Sequence, residues 1–286
     1  HWKQKGIVCL VLALLAQWPL SGEGAVINEV MYHPPEDSDR LQFIELFNPT
    51  DQSIDLSGWY FDKGIRLKLP KGTQLAAGAF LVICKDLEAF SENYTASIPT
   101  IGDFKGRLSR SGERIRLVNA RGETVDELAY KDGKTWPRGP DGYSASLERI
   151  SPGLRSELPY HWASSKMPEM KTPMGTPGRW NDSYSPVELP QVFDISHAPE
   201  WPKPEEKVTV RARVTSQEGI TGATLLYRSA RSGAESEIVE IPMIVEGNEA
   251  SVVLPGQKTG TLIRFQLRVE SGNDSVRIVP SNDEPI

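Results

Sequence analysis

A chain of 286 residues is long enough for two domains, each with its own core. Its 32 basic and 38 acidic side chains give a formal charge of -6, which argues against non-specific nucleic-acid or anionic-membrane binding, since both need a positive excess. Four His and two Cys leave little for zinc, iron–sulfur or disulfide chemistry, while 24 Gly and 22 Pro point to a turn-rich, all-β protein.

Residues 1–24 read as an address. Lys3 and Lys5 make a positive start, Gly6 to Ala16 is apolar, and Ser21-Gly22-Glu23-Gly24 offers small residues for cleavage. The apolar run is too short to span a bilayer and ends at Gln17 and Pro19, so a secreted, periplasmic or cell-surface location is expected. Removing it leaves Cys84 as the sole cysteine, inside the apolar run Ala79 to Cys84, where a core thiol is expected. An exported protein with no internal disulfide fits a bacterial route better than an animal one.

From Val26 onward, short apolar stretches are cut by turn residues every eight to twelve positions, the signature of β-sandwiches. Strands are expected at Val26–Met31, Gln42–Asn48, Gly58–Phe61, Phe80–Cys84, Arg114–Asn119 and Thr124–Tyr130, with one helical turn at Asp86–Asn93. In Arg114-Ile115-Arg116-Leu117-Val118 the charges alternate with aliphatics, as on a strand with one face in water. The first domain is expected over 25–182 and a Pro-rich joint over 183–205. A second sandwich follows over 206–286, its first strand lying back in the joint at 191–195. Its further strands are expected at Lys207–Thr215, Thr224–Arg228, Glu237–Met243, Glu249–Leu254, Leu262–Glu270 and Ser275–Val279, an immunoglobulin-like or fibronectin-like set without the usual Cys pair.

Several motifs carry a resemblance. Val26-Ile27-Asn28-Glu29-Val30, Phe43-Ile44-Glu45-Leu46-Phe47-Asn48, Asp55-Leu56-Ser57-Gly58-Trp59, Gly112 to Leu117, Val125 to Tyr130 and Thr176-Pro177-Gly178-Arg179-Trp180-Asn181 occur in order. Together they resemble a lamin tail domain from Val26 to Asn181. The resemblance implies an immunoglobulin-like sandwich without catalytic residues. In this setting Asn28, Glu45 and Asn48 are expected to bond backbone groups, Trp59 to fill the core, and Gly58, Gly112 and Gly142 to serve turns. The second domain resembles the sandwich that follows a lamin tail in secreted bacterial proteins, where a spore-coat kinase of the CotH type commonly comes next.

Candidate site residues are few. Asp37 and Asp39 in the acidic stretch Glu36–Asp39, with Glu45, have the oxygen chemistry calcium requires, but lack the spacing of a calcium loop, so a solvated loop is favoured and no cofactor is expected. Lys105, Arg107, Arg110, Arg114 and Arg116 form the one basic cluster, a stripe for a polyanion or an ordinary solvated face. Trp136, Tyr143, Tyr160 and Trp162 are candidate ligand-contact aromatics, able to stack on sugar rings where exposed, with core packing expected for at least two of them. No catalytic set is legible. The expected role is a non-catalytic binding or spacer region whose partner is an extracellular polysaccharide or protein, any kinase activity lying in a further domain. A stand-alone adhesin or carbohydrate-binding module and a metal-dependent extracellular hydrolase or nuclease are the alternatives.

Overall fold

The computed structural model describes residues 24–281 apart from 96, 134 and 167–174. The expected signal peptide therefore lies outside the described residues, save Gly24. No helix among the described residues is long and apolar enough to cross a membrane. The protein is all-β, with one short α-helix among the described residues, Leu87–Asn93.

Two sheets build the first sandwich. One runs in the order Trp162–Ser164, Leu147–Arg149, Val26–Met31, Phe43–Phe47, Phe80–Cys84 and Thr100–Ile101. The other runs Thr124–Lys131, Gly112–Val118, Tyr60–Lys63, Ile65–Lys68 and Lys105–Gly106. Ile27, Ile44, Leu46 and Ile83 from the first sheet meet Phe61, Ile115, Leu117 and Leu128 from the second, with Trp59 in the same core. Strand side chains alternate between faces, so Met31, Phe43, Val82 and Cys84 fall on the opposite, outer face, where Phe90 of the helix covers them in a second apolar layer. This sheet is thus buried on both sides, which is why Phe80–Cys84 reads as a continuous apolar run.

Local chemistry trims several expected elements. Asp86 caps the helix by accepting the Ala89 N–H, so the helix starts at Leu87. The Gln42 side chain donates to the Tyr32 and Leu108 carbonyls and accepts the Leu108 N–H, and the strand begins after it at Phe43. Asn48 ends that strand as expected, its amide donating to the carbonyls of Gln52, Leu75 and Ala76.

The second sandwich has its own core of Val192, Val210, Val214, Leu225, Val252, Leu267, Val269 and their neighbours. Gln191–Ala198, Val208–Thr215, Glu249–Leu254 and Ile244–Glu246 form one sheet. Ala234–Glu235, Ile220–Arg231, Leu262–Ser271 and Val276–Val279 form the other, with Val239–Pro242 also paired to Ile220–Arg231. The strand expected over Glu237–Met243 is Val239–Pro242, and the chain then crosses at buried Met243 to Ile244–Glu246 in the other sheet.

Contacts bridge the two cores. The Tyr160 ring stacks on Phe193 with centroids 5.6 Å apart, and the Arg213 guanidinium lies 5.3 Å from the Phe193 centroid. Arg277 donates to the Tyr160 carbonyl, and Asn273 and Ser275 donate to the Glu188 carbonyl, each at 3.1 Å.

Candidate functional site

Three strands of the first sheet place a glutamate at matching positions. Glu29 is in register with Glu45 on one side and with Glu148 on the other. All three are fully buried on the outer face, so their charges cannot be left to water. The segment Gly175–Ser183 supplies the partners. Glu29 accepts the Thr176 N–H at 2.7 Å and the Ser146 hydroxyl at 2.5 Å. Glu45 accepts the Gly178 N–H at 2.5 Å and the Asn28 amide at 2.9 Å, and Glu148 accepts the Ser183 N–H at 2.8 Å. Asn181 completes the set, donating to the carbonyls of Asn28 and Arg149 and accepting from the Asn28 amide.

Burial dominates the electrostatics. It holds Glu29 well above the usual carboxyl range, with repulsion from Glu45 and Glu148 adding to it. Burial also pushes Glu45 up to about 8 and raises Glu148, against the bonds each accepts. Glycine is needed where this segment crosses: a Cβ on Gly175, whose φ is 98°, would lie 2.3 Å from Glu29 Oε1.

The latched segment displays aromatics. Trp180 rests on Phe47 and Phe80, with centroids at 4.9 and 5.7 Å, and Tyr184 packs on Trp180 at 4.2 Å. Phe47 and Phe80 face each other in register and Phe47 is buried, so the base is rigid. Trp180 itself is 46% exposed. Beside it the exposed Arg179 guanidinium pairs with Asp182 at 3.0 Å. A flat apolar surface next to an N–H fork and a carboxylate can stack on a ring while hydrogen-bonding its substituents.

The residues singled out in the sequence fall elsewhere. Trp136 and Trp162 are buried, and the Trp162 indole N–H donates to the Ser156 carbonyl, which removes them as ligand contacts and is the core packing expected for at least two of the four aromatics. Tyr160 is committed to Phe193 between the cores. Tyr143 is 55% exposed.

The basic cluster is neutralised rather than free. Arg107 and Arg110 reach Asp39 at 3.6 and 3.1 Å, Arg114 pairs with Glu127, and Arg116 pairs with Asp62 at 2.5 Å. Lys105 is exposed at a sheet edge. The residues weighed for calcium do not come together: Asp39 faces two arginines while Glu45 faces Asn28 and Gly178, and the Asp37 side chain lies outside the described residues. No group of three His, Cys, Asp or Glu among the described residues is placed to hold a metal.

Sequence reasoning singled out Thr176–Asn181 as a family motif but not as a site. The missed signal was a glutamate inside each of three fully buried strands, Val26–Met31, Phe43–Phe47 and Leu147–Arg149.

No curated protein matches the chain. The residues that match a family model are 21–132, a stretch that includes Glu29 and Glu45 but ends before Glu148, Thr176 and Trp180. The family is the Lamin Tail Domain, and over these residues the first sandwich is similar to that immunoglobulin-like, non-enzymatic domain.

Proposed function

We propose that the protein is the non-catalytic binding and spacing region of a secreted or cell-surface bacterial protein, and that it holds extracellular polysaccharide at Trp180 and Tyr184. The observation that carries the reading is the exposed Trp180, backed by half-buried Tyr184, on a segment fixed by three buried glutamates. A flexible loop would lose entropy on ordering around a ligand, whereas this one is ordered beforehand. Any phosphotransfer belongs to a further domain of the CotH kinase type in the parent protein, a reading supported by the family resemblance of the sequence.

Affinity electrophoresis through gels containing soluble polysaccharides tests the binding role. The native chain is expected to be retarded by at least one glycan, with Trp180→Ala abolishing the retardation and Tyr143→Ala leaving it intact. Equal mobility of the native chain and Trp180→Ala in every retarding gel would remove the site from the reading.

A further inference from the structure

The second sandwich is open at one end. Strand Gln191–Ala198 starts at the contacts with the first sandwich and finishes beside a cavity of about 380 Å³, inside the ~300–1,000 Å³ range of small-molecule sites. Val208 and Leu254 face each other in register on one wall, Tyr227 and Phe265 on the other, with Val210 and Ile263 between. Val210 and Leu254 are buried in the core, but Val208, Tyr227, Ile263 and Phe265 are only half-buried.

Those loops form a built mouth. The Glu205 N–H donates to the Gln257 carbonyl at 2.8 Å, and a Cβ on Gly256 would lie 2.1 Å from the Glu205 backbone, so the two loops are in direct contact. Lys203 and Lys258 line this mouth, and neither ammonium has an ion-pair partner among the described residues. Glu206 is the one acid of the lining, and its carboxylate accepts the Lys203 backbone N–H at 2.7 Å. A positive mouth stands out here, since residues 187–286 carry 10 basic and 15 acidic groups.

We infer that this cavity binds a single-chain amphiphile with an anionic head, of the medium-chain monocarboxylate class, the chain lying between the sheets and the carboxylate at Lys203 and Lys258. The polarity profile selects that class: aliphatic and aromatic walls along the depth match an unbranched chain, and unpaired positive charge at the mouth alone matches one terminal anion. This goes beyond glycan binding at Trp180 and does not depend on it.

The test is displacement of a fluorescent dansyl-undecanoic acid probe from the whole chain by laurate and by dodecanol. Saturable binding of one probe per chain is expected. Lys203→Glu combined with Lys258→Glu should weaken laurate about tenfold while leaving dodecanol unchanged. Thr261→Trp, at the mouth outside the strands, and Val208→Phe, on the wall, should each abolish probe binding with the thermal unfolding midpoint retained. Absence of saturable binding by the native chain, or binding that survives in a folded Thr261→Trp or Val208→Phe variant, overturns the inference. Equal loss of laurate and dodecanol in the double charge variant overturns the role of the lysines.

Discussion

Glu29 and Glu148 stand opposite each other in register on neighbouring strands, and both reach the single hydroxyl of Thr176, at 3.1 and 2.9 Å. That hydroxyl also lies 3.2 Å from Asn181 Oδ1, and the Asn181 amide is oriented by the two carbonyls it donates to. One hydroxyl proton cannot serve three acceptors. All three contacts are satisfied together only when both carboxyls carry protons and donate them to the hydroxyl, which then donates to Asn181 Oδ1, in agreement with the upward displacement of both glutamates by burial.

A pH dependence follows. An unfolded glutamate titrates near its ordinary value of 4.5, while burial pushes folded Glu45 up to about 8. Between those values the folded state holds more protons than the unfolded one, so stability is fullest below about 4.5 and is lost as pH climbs through about 8. Each raised carboxyl sets a slope of about 1.4 kcal/mol per pH unit inside its window. Asp62 and Asp86, lowered by their bonds to Arg116 and Arg40, act the other way and only in the acid range below the ordinary aspartate value of 3.8. Denaturant melts across this range are expected to show falling stability for the native chain and a shallower fall for Glu45→Gln. Parallel slopes for the two proteins would refute the assignment.

The latch also depends on the absence of a side chain at residue 175. Gly175→Ala places a methyl group against the Glu29 carboxylate and forces a positive φ on a residue with a Cβ. A cost of about 1–3 kcal/mol is expected, concentrated in the segment that carries Trp180. Trypsin cleavage after the exposed Arg179 should therefore accelerate in the variant, while cleavage elsewhere in the first sandwich stays slow. An unchanged rate at Arg179 would show that the segment is held by other means.

How far the sequence revealed this arrangement varies by residue. Val26–Met31, Phe80–Cys84 and Glu249–Leu254 fall where the apolar pattern placed them, because each is bounded by turn residues and buried along a regular face. Leu147–Arg149 and Trp162–Ser164 were invisible, since three residues are too few to establish a period of two. Ile65–Lys68 was hidden for a different reason: it returns directly through Gly64, whose φ of 81° makes the turn without the usual cluster of breakers. The glutamate latch was out of reach because Thr176 is 147 residues from Glu29, and pattern reasoning works over short windows. Trp180 looked like one more motif residue, and only the outer face of the sheet explains its exposure.

The stacked Tyr160 and Phe193 rings, with Arg277 on the Tyr160 carbonyl, join the two sandwiches. Burial lowers the Arg277 guanidinium to about 10, so its hydrogen bond is made at some desolvation cost and losing it leaves little behind to compensate. Phe193→Ala with Arg277→Ala is expected to destabilise the junction while sparing both cores, whose residues are separate. Small-angle scattering should then show a larger radius of gyration, and calorimetry should resolve two unfolding transitions. A scattering curve that overlays that of the native chain would mean that the remaining contacts, Asn273 and Ser275 on the Glu188 carbonyl, suffice.

Cys84 lies in the apolar layer between the outer face of the sheet and the helix, with no exposed surface. Burial, helped by Asp103, pushes its thiol up to about 11, so the thiolate that alkylating reagents require is scarce at ordinary pH and out of their reach. Iodoacetamide at about pH 8 is expected to leave the Cys84 peptide unmodified in the folded chain and to label it fully in guanidinium chloride, as read by mass spectrometry. Because Phe90 of the helix covers this layer, Phe90→Ala should open it, with labelling of Cys84 in the absence of denaturant accelerating as the first local event. Labelling of the native chain at the rate of the unfolded one would contradict the packing of the helix onto the sheet.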